Sequence, residues 1–332
     1  MSDDIDIIIP WVDGSDPLWQ EKFREYNDDK IGCDARFERY RDWNILRYWF
    51  RGIDVNVPWV HKIFFVTSGH IPDWLNINHP KIVIVKHDDY IPSEYLPTFS
   101  SHPIELNMHR IEGLSERFIY FNDDFFILNK VDKEDFFTNG LPNDLGVMNV
   151  ISGLNKTMNS ILLNNLDCIN SHFNKRKVLL NNKKGWFNIS YGVNKMYRNI
   201  SLSFWEYFTG FYEHHLPQPF LKKTLYDVWL SNTSALELSS HSKFRSSHDV
   251  NQYLFRAWQL CKGDFYPSDL TKKGIFFEIS DSNYKEISDV ILNSNKKFLV
   301  INDGDISSFD EVKNNLIKAF QLKFKNKSSF EM

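Results

Sequence analysis

The chain has 332 residues, 42% hydrophobic and 25% charged, which suits one soluble α/β domain or two small ones with a substantial core. A net charge of −4 offers no basic excess for nucleic acid, and no run approaches the ~18 apolar residues of a membrane-spanning helix. Three widely spaced cysteines (Cys33, Cys168, Cys261) and an acidic amino terminus, MSDDIDIIIPW, lack the marks of a disulfide framework and of a signal peptide, so a reducing cytoplasm is the expected location.

The first 130 residues repeat one order. IDIIIPW (5–11) is an apolar run that ends in the polar turn DGSDP. Trp43, Leu46, Phe50 and Ile53 recur at helical spacing and predict a helix over 41–53. KIFFVT (62–67) and KIVIV (81–85) read as strands, ending at Ser68-Gly69 and at His87-Asp88-Asp89. A short helix is expected over 103–112, then a strand RFIYFN (117–122) that ends at Asp123-Asp124. Near-continuous apolar strands alternating with helices indicate a buried, mostly parallel sheet. Each strand is followed by a polar cluster: Asp13/Asp16, Ser68/Gly69, Asp88/Asp89 and Asn122–Asp124. Ligands of open α/β sheets bind beyond the carboxyl ends of the strands, so these clusters are candidate site residues.

The second half has weaker signals. Residues 150–200 are rich in Asn and Lys and read as an insertion or lid. HHLPQP (214–219) breaks any helix. Helical patterns resume near 220–232 and 248–261. FLVI (298–301) reads as a strand, and Ser308 with Glu311 resembles a capping box opening a final helix. Phe309, Val312, Leu316 and Phe320 form a stripe on that helix, which could pack on the core or touch a membrane.

Asp123 and Asp124 lie in the apolar stretch IYFNDDFFIL, where ionised carboxylates are costly unless paired or holding a metal. A salt bridge with a helix cap would explain them, and so would a divalent metal completed by substrate phosphates. Alternation along a strand would point them apart, so one shared site requires the chain to turn there. WVDGSD (11–16) is either an ordinary Asp-Gly turn or a nucleotide or metal contact. Glu105 and His109 fall four apart on one predicted helix face, as a surface pair or as site residues. His215 sits in a rigid, non-helical segment, and FRSSHD offers Arg245 and Asp249. Arginine grips phosphate in bidentate fashion. There is no GxxxxGK[ST], GxGxxG, GxSxG or HExxH, which argues against P-loop, dinucleotide, serine-hydrolase and zincin chemistry.

Four blocks in order resemble the Stealth family of sugar-phosphate transferases, which includes bacterial capsular polysaccharide phosphotransferases and the catalytic subunit of N-acetylglucosamine-1-phosphotransferase. They are IDIIIPWVDGSDP (5–17); RDWNILRYWFRGI (41–53) with PWVHKIFFVTSGHIPDWLN (58–76) and LPTFSSHPIELNMHRIEGLSERFIYFNDDFF (96–126); HLPQPFLKK (215–223); and FRSSHDVNQYLF (244–255). Asn107 stands where the family commonly has His, and Ile127-Leu128 where a small residue is common. The resemblance implies a Rossmann-like (glycosyltransferase-A-like) α/β catalytic domain over 1–260, with a mainly helical C-terminal part over 261–332. It implies transfer of a hexose-1-phosphate from a nucleotide sugar, UDP-linked, to a glycan hydroxyl, with Mg²⁺ or Mn²⁺ as cofactor. By position it assigns catalysis to Asp123, Asp124, His215 and Arg245, the two aspartates also holding the metal. Substrate binding falls to Asp13, Gly14, Asp16, Ser100, His109, Arg110, Asn122, Lys222 and Asp249. A lipid-linked acceptor would place the chain at the inner face of the cell membrane. The alternatives are a metal-dependent glycosyltransferase that moves the sugar alone, and a non-catalytic glycan-assembly protein.

Overall fold

The computed structural model describes residues 3–27, 40–153 and 156–332. Four strands predicted from sequence are present: β1 (Ile5–Pro10), β2 (Ile63–Thr67), β3 (Ile82–Lys86) and β4 (Arg117–Tyr120). They pair in parallel in the spatial order β3-β2-β1-β4. Next come β5 (Phe125–Ile127), β6 (Phe137–Thr138) and β7 (Leu141–Asp144). Then β8 (Gln218–Leu221) joins the free side of β4 in antiparallel fashion. Its Pro219 is tolerated because β8 is an edge strand, where a missing N–H costs no ladder bond. Last are β9 (Tyr266–Pro267), β10 (Gly274–Glu278) and β11 (Phe298–Asn302). β11 pairs in parallel with β10 and antiparallel with β5, and β7 joins β6 to β9. Among the described residues the fold is mixed α/β with three sheets.

The helices are α1 (Pro17–Asn27), α2 (Leu46–Asn56), α3 (His87–Tyr90), α4 (Ser101–Leu106), α5 (Lys156–His172), α6 (Lys175–Asn181) and α7 (Lys183–Trp186). They continue with α8 (Val193–Leu202), α9 (Lys222–Ser231), α10 (Thr233–Ser240), α11 (Tyr253–Lys262), α12 (Tyr284–Asn293) and α13 (Phe309–Lys323). None of the described helices is long and apolar enough to cross a membrane.

Strand alternation sends side chains to two cores, which is why the parallel strands read as unbroken apolar runs. Ile5, Ile7, Ile9 and Phe65 face one core with α2, α12 and α13. Ile8, Phe64, Val66 and Phe118 face the other, against α9 and α11. The C-terminal part holds the helices α12 and α13, the strand read at 298–301 as β11, and the further strands β9 and β10.

Three local expectations are corrected. The helix expected from residue 41 starts at Leu46, because Asp42 accepts the Asn44 amide and Asn44 adopts a positive φ of 55°, a turn that cannot continue as helix. The helix expected over 103–112 ends at Leu106. The Asn107 side chain donates to the Pro103 carbonyl at 2.8 Å, and a 3₁₀ turn Met108–Arg110 follows. The capping box at Ser308 does not form: the Ser308 hydroxyl donates to Asp281, and Glu311 accepts from Tyr284. Cys168 and Cys261 are free thiols; Cys33 lies outside the described residues.

Candidate active site

At the end of β4 the Phe121 amide still donates to Ile8 of β1, and the Phe125 amide then donates back to Asn122 at 3.2 Å. The chain therefore turns at Asn122-Asp123-Asp124, which lets both carboxylates serve one site. Asp123 is open to solvent yet surrounded by protein. Burial, and then the neighbouring charge of Asp124, pushes its pKa up to about 7. Asp124 is only 21% exposed, and its Oδ1 is buried without a hydrogen-bond partner. Its Oδ2 lies 3.5 Å from Nε2 of His215.

His215 is held by ring edges: Phe125 at 4.7 Å and Phe276 at 5.8 Å between centroids. Its chain segment is pinned from behind by Arg256, which is fully buried. Arg256 forms a bidentate pair with Asp144, both contacts at 2.8 Å, and also donates to the Tyr212 carbonyl and the Glu213 carboxylate. The guanidinium, with help from His214, holds the buried Asp144 carboxyl down at about 2 against its desolvation. Gln218 Nε2 donates to the carbonyls of His214 and Leu216 and completes the brace. No motif or spacing in the sequence points to Asp144, Glu213 or Arg256; residues 112 apart give no local signal.

Arg245 reaches the same region, donating to Ser101 Oγ at 3.1 Å. Its charge and that of Asp123 both act on the buried Tyr120 hydroxyl, which donates to Glu105 at 3.0 Å. Two residues expected to touch substrate support Arg245 instead. Asp249 is fully buried; it accepts from the Ser246 amide and the Ser242 hydroxyl and contacts His102 Nδ1 at 2.8 Å. Ser100 is 2% exposed and caps α4 by accepting the His102 amide. Both residues fix the loop and helix that carry Arg245 and Ser101. Glu105 and His109 do not pair, because Glu105 faces Tyr120 and His109 lies against Trp229.

A second polar group lies along the same carboxyl edge, at the ends of β1, β2 and β3. The Asp13 amide donates to His70 Nε2 at 2.8 Å, and Asp13 Oδ1 accepts from Ser15. Burial lowers the His70 pKa, and burial with the nearby His70 charge lowers that of His87 to about 4. Asp16 accepts the Trp19 amide and caps α1, which occupies one of its oxygens. Gly14 passes so close to Tyr40 that a Cβ would lie 2.0 Å from the Tyr40 carbonyl oxygen, so only glycine fits.

Lys222, Arg110 and His109, the other expected contacts, touch groups away from the Asp123 turn's own partners. Lys222 follows β8 beside the start of β4, at the opposite end of that strand from the Asp123 turn. Its ammonium donates to the carbonyls of Ile111 and Leu114. The Arg110 guanidinium stacks over Trp229 at 4.9 Å, and the His109 ring lies 5.7 Å from the same indole. Burial, then the Arg110 charge, lowers the His109 pKa to about 4.

Among the described residues no group of three or more His, Cys, Asp or Glu gathers as a protein-only metal site. The Asp123-Asp124 turn nevertheless fits a hard divalent cation. It supplies a buried, unpartnered carboxylate oxygen and a second carboxyl whose charge is opposed by the first. Mg²⁺ characteristically takes one or two carboxylates and fills its sphere with water and substrate phosphate.

Residues 3–30 match the family model of Stealth protein CR1, conserved region 1, and residues 39–144 that of Stealth protein CR2, conserved region 2. Over 98% of both chains, the protein is 41% identical to the capsular polysaccharide phosphotransferase WcwK of Streptococcus pneumoniae. It is 37% identical to the receptor polysaccharide phosphotransferase WefC of Streptococcus gordonii over 100% of both chains. It is also 37% identical to the exopolysaccharide phosphotransferase cps2G of Lactiplantibacillus plantarum, over 99% of this chain and 96% of the relative.

Proposed function

The chain belongs to the Stealth family, and from that premise we propose that it is a polysaccharide phosphotransferase. It moves a hexose-1-phosphate from a UDP-sugar to a hydroxyl of a glycan acceptor, in the cytoplasm. The observation that carries this reading is the turn after β4, which gathers two carboxylates beside His215. Four parallel strands in the order β3-β2-β1-β4, with helices on both faces, support a Rossmann-like core for it.

The acceptor oxygen attacks the phosphorus that bears the sugar. The new O–P bond forms as the bond to the nucleoside monophosphate breaks, and the sugar C1–O bond stays intact. A ring nitrogen of His215 receives the acceptor proton, and Asp124 orients that ring. Arg245 faces the phosphate oxygens, for which its planar fork is suited. The Asp13–Asp16 turn borders the nucleotide. Asp123 and Asp124 hold Mg²⁺ or Mn²⁺, which when bound neutralises diphosphate charge. Residues 1–260 form the catalytic unit in this reading.

The test is the identity of the released nucleotide. With a UDP-sugar donor, UMP should appear together with a ³¹P phosphodiester resonance in the product, and the donor's anomeric configuration should be retained. Stoichiometric UDP with no phosphorus in the product would replace this reading by sugar transfer alone.

A further inference from the structure

Residues 168–205 contain seven Lys or Arg and no Asp or Glu, in a chain whose net charge is −4. They build one lobe. Lys175 at the start of α6 donates to the carbonyls of Leu202, Trp205 and Tyr207 in the chain that leaves α8. Asn199 of α8 is buried and bonds the Trp186 carbonyl of α7. The inward side of α8 is anchored by Lys195, which pairs with Asp269 at 2.6 Å. The outward side is apolar. Val193, Tyr197 and Ile200 recur at helical spacing and are 83%, 71% and 47% exposed. Phe204 extends the stripe at 80% exposure, with Trp205 beside it at 56%. Folded chains rarely leave so many large apolar side chains together in water without a partner. Arg176, Lys177, Lys183 and Lys184 are exposed on the same lobe, and Asp167 and Glu206 are the acids that border the segment at either end.

We propose that this lobe docks on an anionic phospholipid surface. α8 lies in the headgroup plane, with the Val193–Tyr197–Ile200–Phe204 stripe toward the acyl boundary and the exposed Arg176, Lys177, Lys183 and Lys184 of α6 and α7 available to lipid phosphates. A helix with aliphatic and aromatic residues on one face, flanked by basic residues, has the composition of an interfacial helix. Each Lys or Arg near an anionic leaflet strengthens partition roughly fivefold. A second copy of the chain is a poorer occupant, because two such basic lobes would repel. The surface adjoins the candidate site: Lys195 and Arg198 lie over the Tyr212 ring, at 5.0 and 5.8 Å, three residues before His215.

Co-sedimentation of the full chain with vesicles provides the test. Vesicles mixing phosphatidylcholine with phosphatidylglycerol should bind at least ~10-fold more protein than phosphatidylcholine alone, and high salt should release it. Val193→Ser/Tyr197→Ser/Phe204→Ser and, separately, Lys183→Glu/Lys184→Glu should each reduce binding by at least ~10-fold with the melting curve unchanged. The lysine pair is surface-exposed, so it carries the test should the apolar variant misfold. No binding to the mixed vesicles, or binding that ignores the lysine reversal, overturns the proposal. So does self-association that the apolar variant abolishes in the absence of any vesicle binding, which would assign this face to a second copy.

Discussion

A carboxylate that serves a metal and one that serves the fold should respond differently to the same substitution. Asp124 has a buried oxygen with no partner, whereas every contact of Asp249 is spent inside the protein. Asp123→Asn and Asp124→Asn are each expected to lower turnover by at least ~10²-fold, the scale of losing one well-placed electrostatic contact. Chelator should abolish transfer, and Mg²⁺ or Mn²⁺ should restore it; full activity in chelator would remove the metal from the site. Arg245→Lys keeps the charge but loses the planar fork, and His215→Ala loses the ring. Both should cut turnover while leaving the thermal midpoint within a few degrees. Asp249→Ala is expected to do the reverse and destabilise the fold by about 3 kcal/mol or more, because it strips a buried network of its shared acceptor. Thermal melting beside initial rates separates the two classes, and an Asp249→Ala protein that melts normally yet does not turn over would return Asp249 to the substrate.

Elements whose cause is local were legible in the sequence, and those whose cause is tertiary were not. β1 to β4 are unbroken apolar runs ending in polar turns, and the carboxyl edge with its aspartates follows from those runs alone. The family blocks then added His215 and Arg245, which no periodicity connects to that edge. β5 was missed because three residues, FFI, merge with the apolar stretch around the aspartates. The Ser308–Glu311 spacing misled because Asp281 and Tyr284 claim those side chains from elsewhere in the chain. Least legible was the brace behind His215, since Asp144 and Arg256 meet only through the fold. Its stability contribution has a defined pH dependence. The Asp144 carboxyl titrates near 2 in the folded chain against an ordinary 3.8, a depressed value, so its stabilisation is complete above the unfolded value and fades as pH falls through the folded one. Asp144→Asn breaks a buried pair and should cost about 3–5 kcal/mol at neutral pH. The gap in unfolding free energy between wild type and this variant should narrow as the pH drops below about 4. A gap that stays constant from neutrality to about pH 3 would show that the charge of Asp144 contributes nothing there.

For the whole molecule, the C-terminal part is built into the support of the site. β11 pairs with β5, and the Ile301 amide donates to the Asp124 carbonyl at 3.1 Å, so the strand after the aspartate turn is held from the far end of the chain. Behind it, α13 buries Val312, Leu316 and Phe320 in the same core as α2, with Phe320 stacked on Tyr48 at 5.6 Å. Val312, Leu316 and Phe320 of the α13 stripe are thus spent on packing, and Phe309 is half-buried. The chain end is tied down as well, where Glu331 pairs with the guanidinium of Arg51 at 2.7 Å. A chain truncated after Asp305 loses α13 and this tether together and should fail to fold as the intact protein does, read as lost cooperative melting and rapid proteolysis. Truncation alone cannot separate support from chemistry, so a graded change is needed beside it. Leu316→Ala removes buried methyl groups from the α13 side of the core and should cost about 2–5 kcal/mol. Below its lowered melting temperature, turnover per folded molecule should remain within about twofold of wild type, because the β5–β11 ladder survives. If that variant instead lost activity at temperatures where it is fully folded, α13 would be shaping the site as well as holding the strand that carries it.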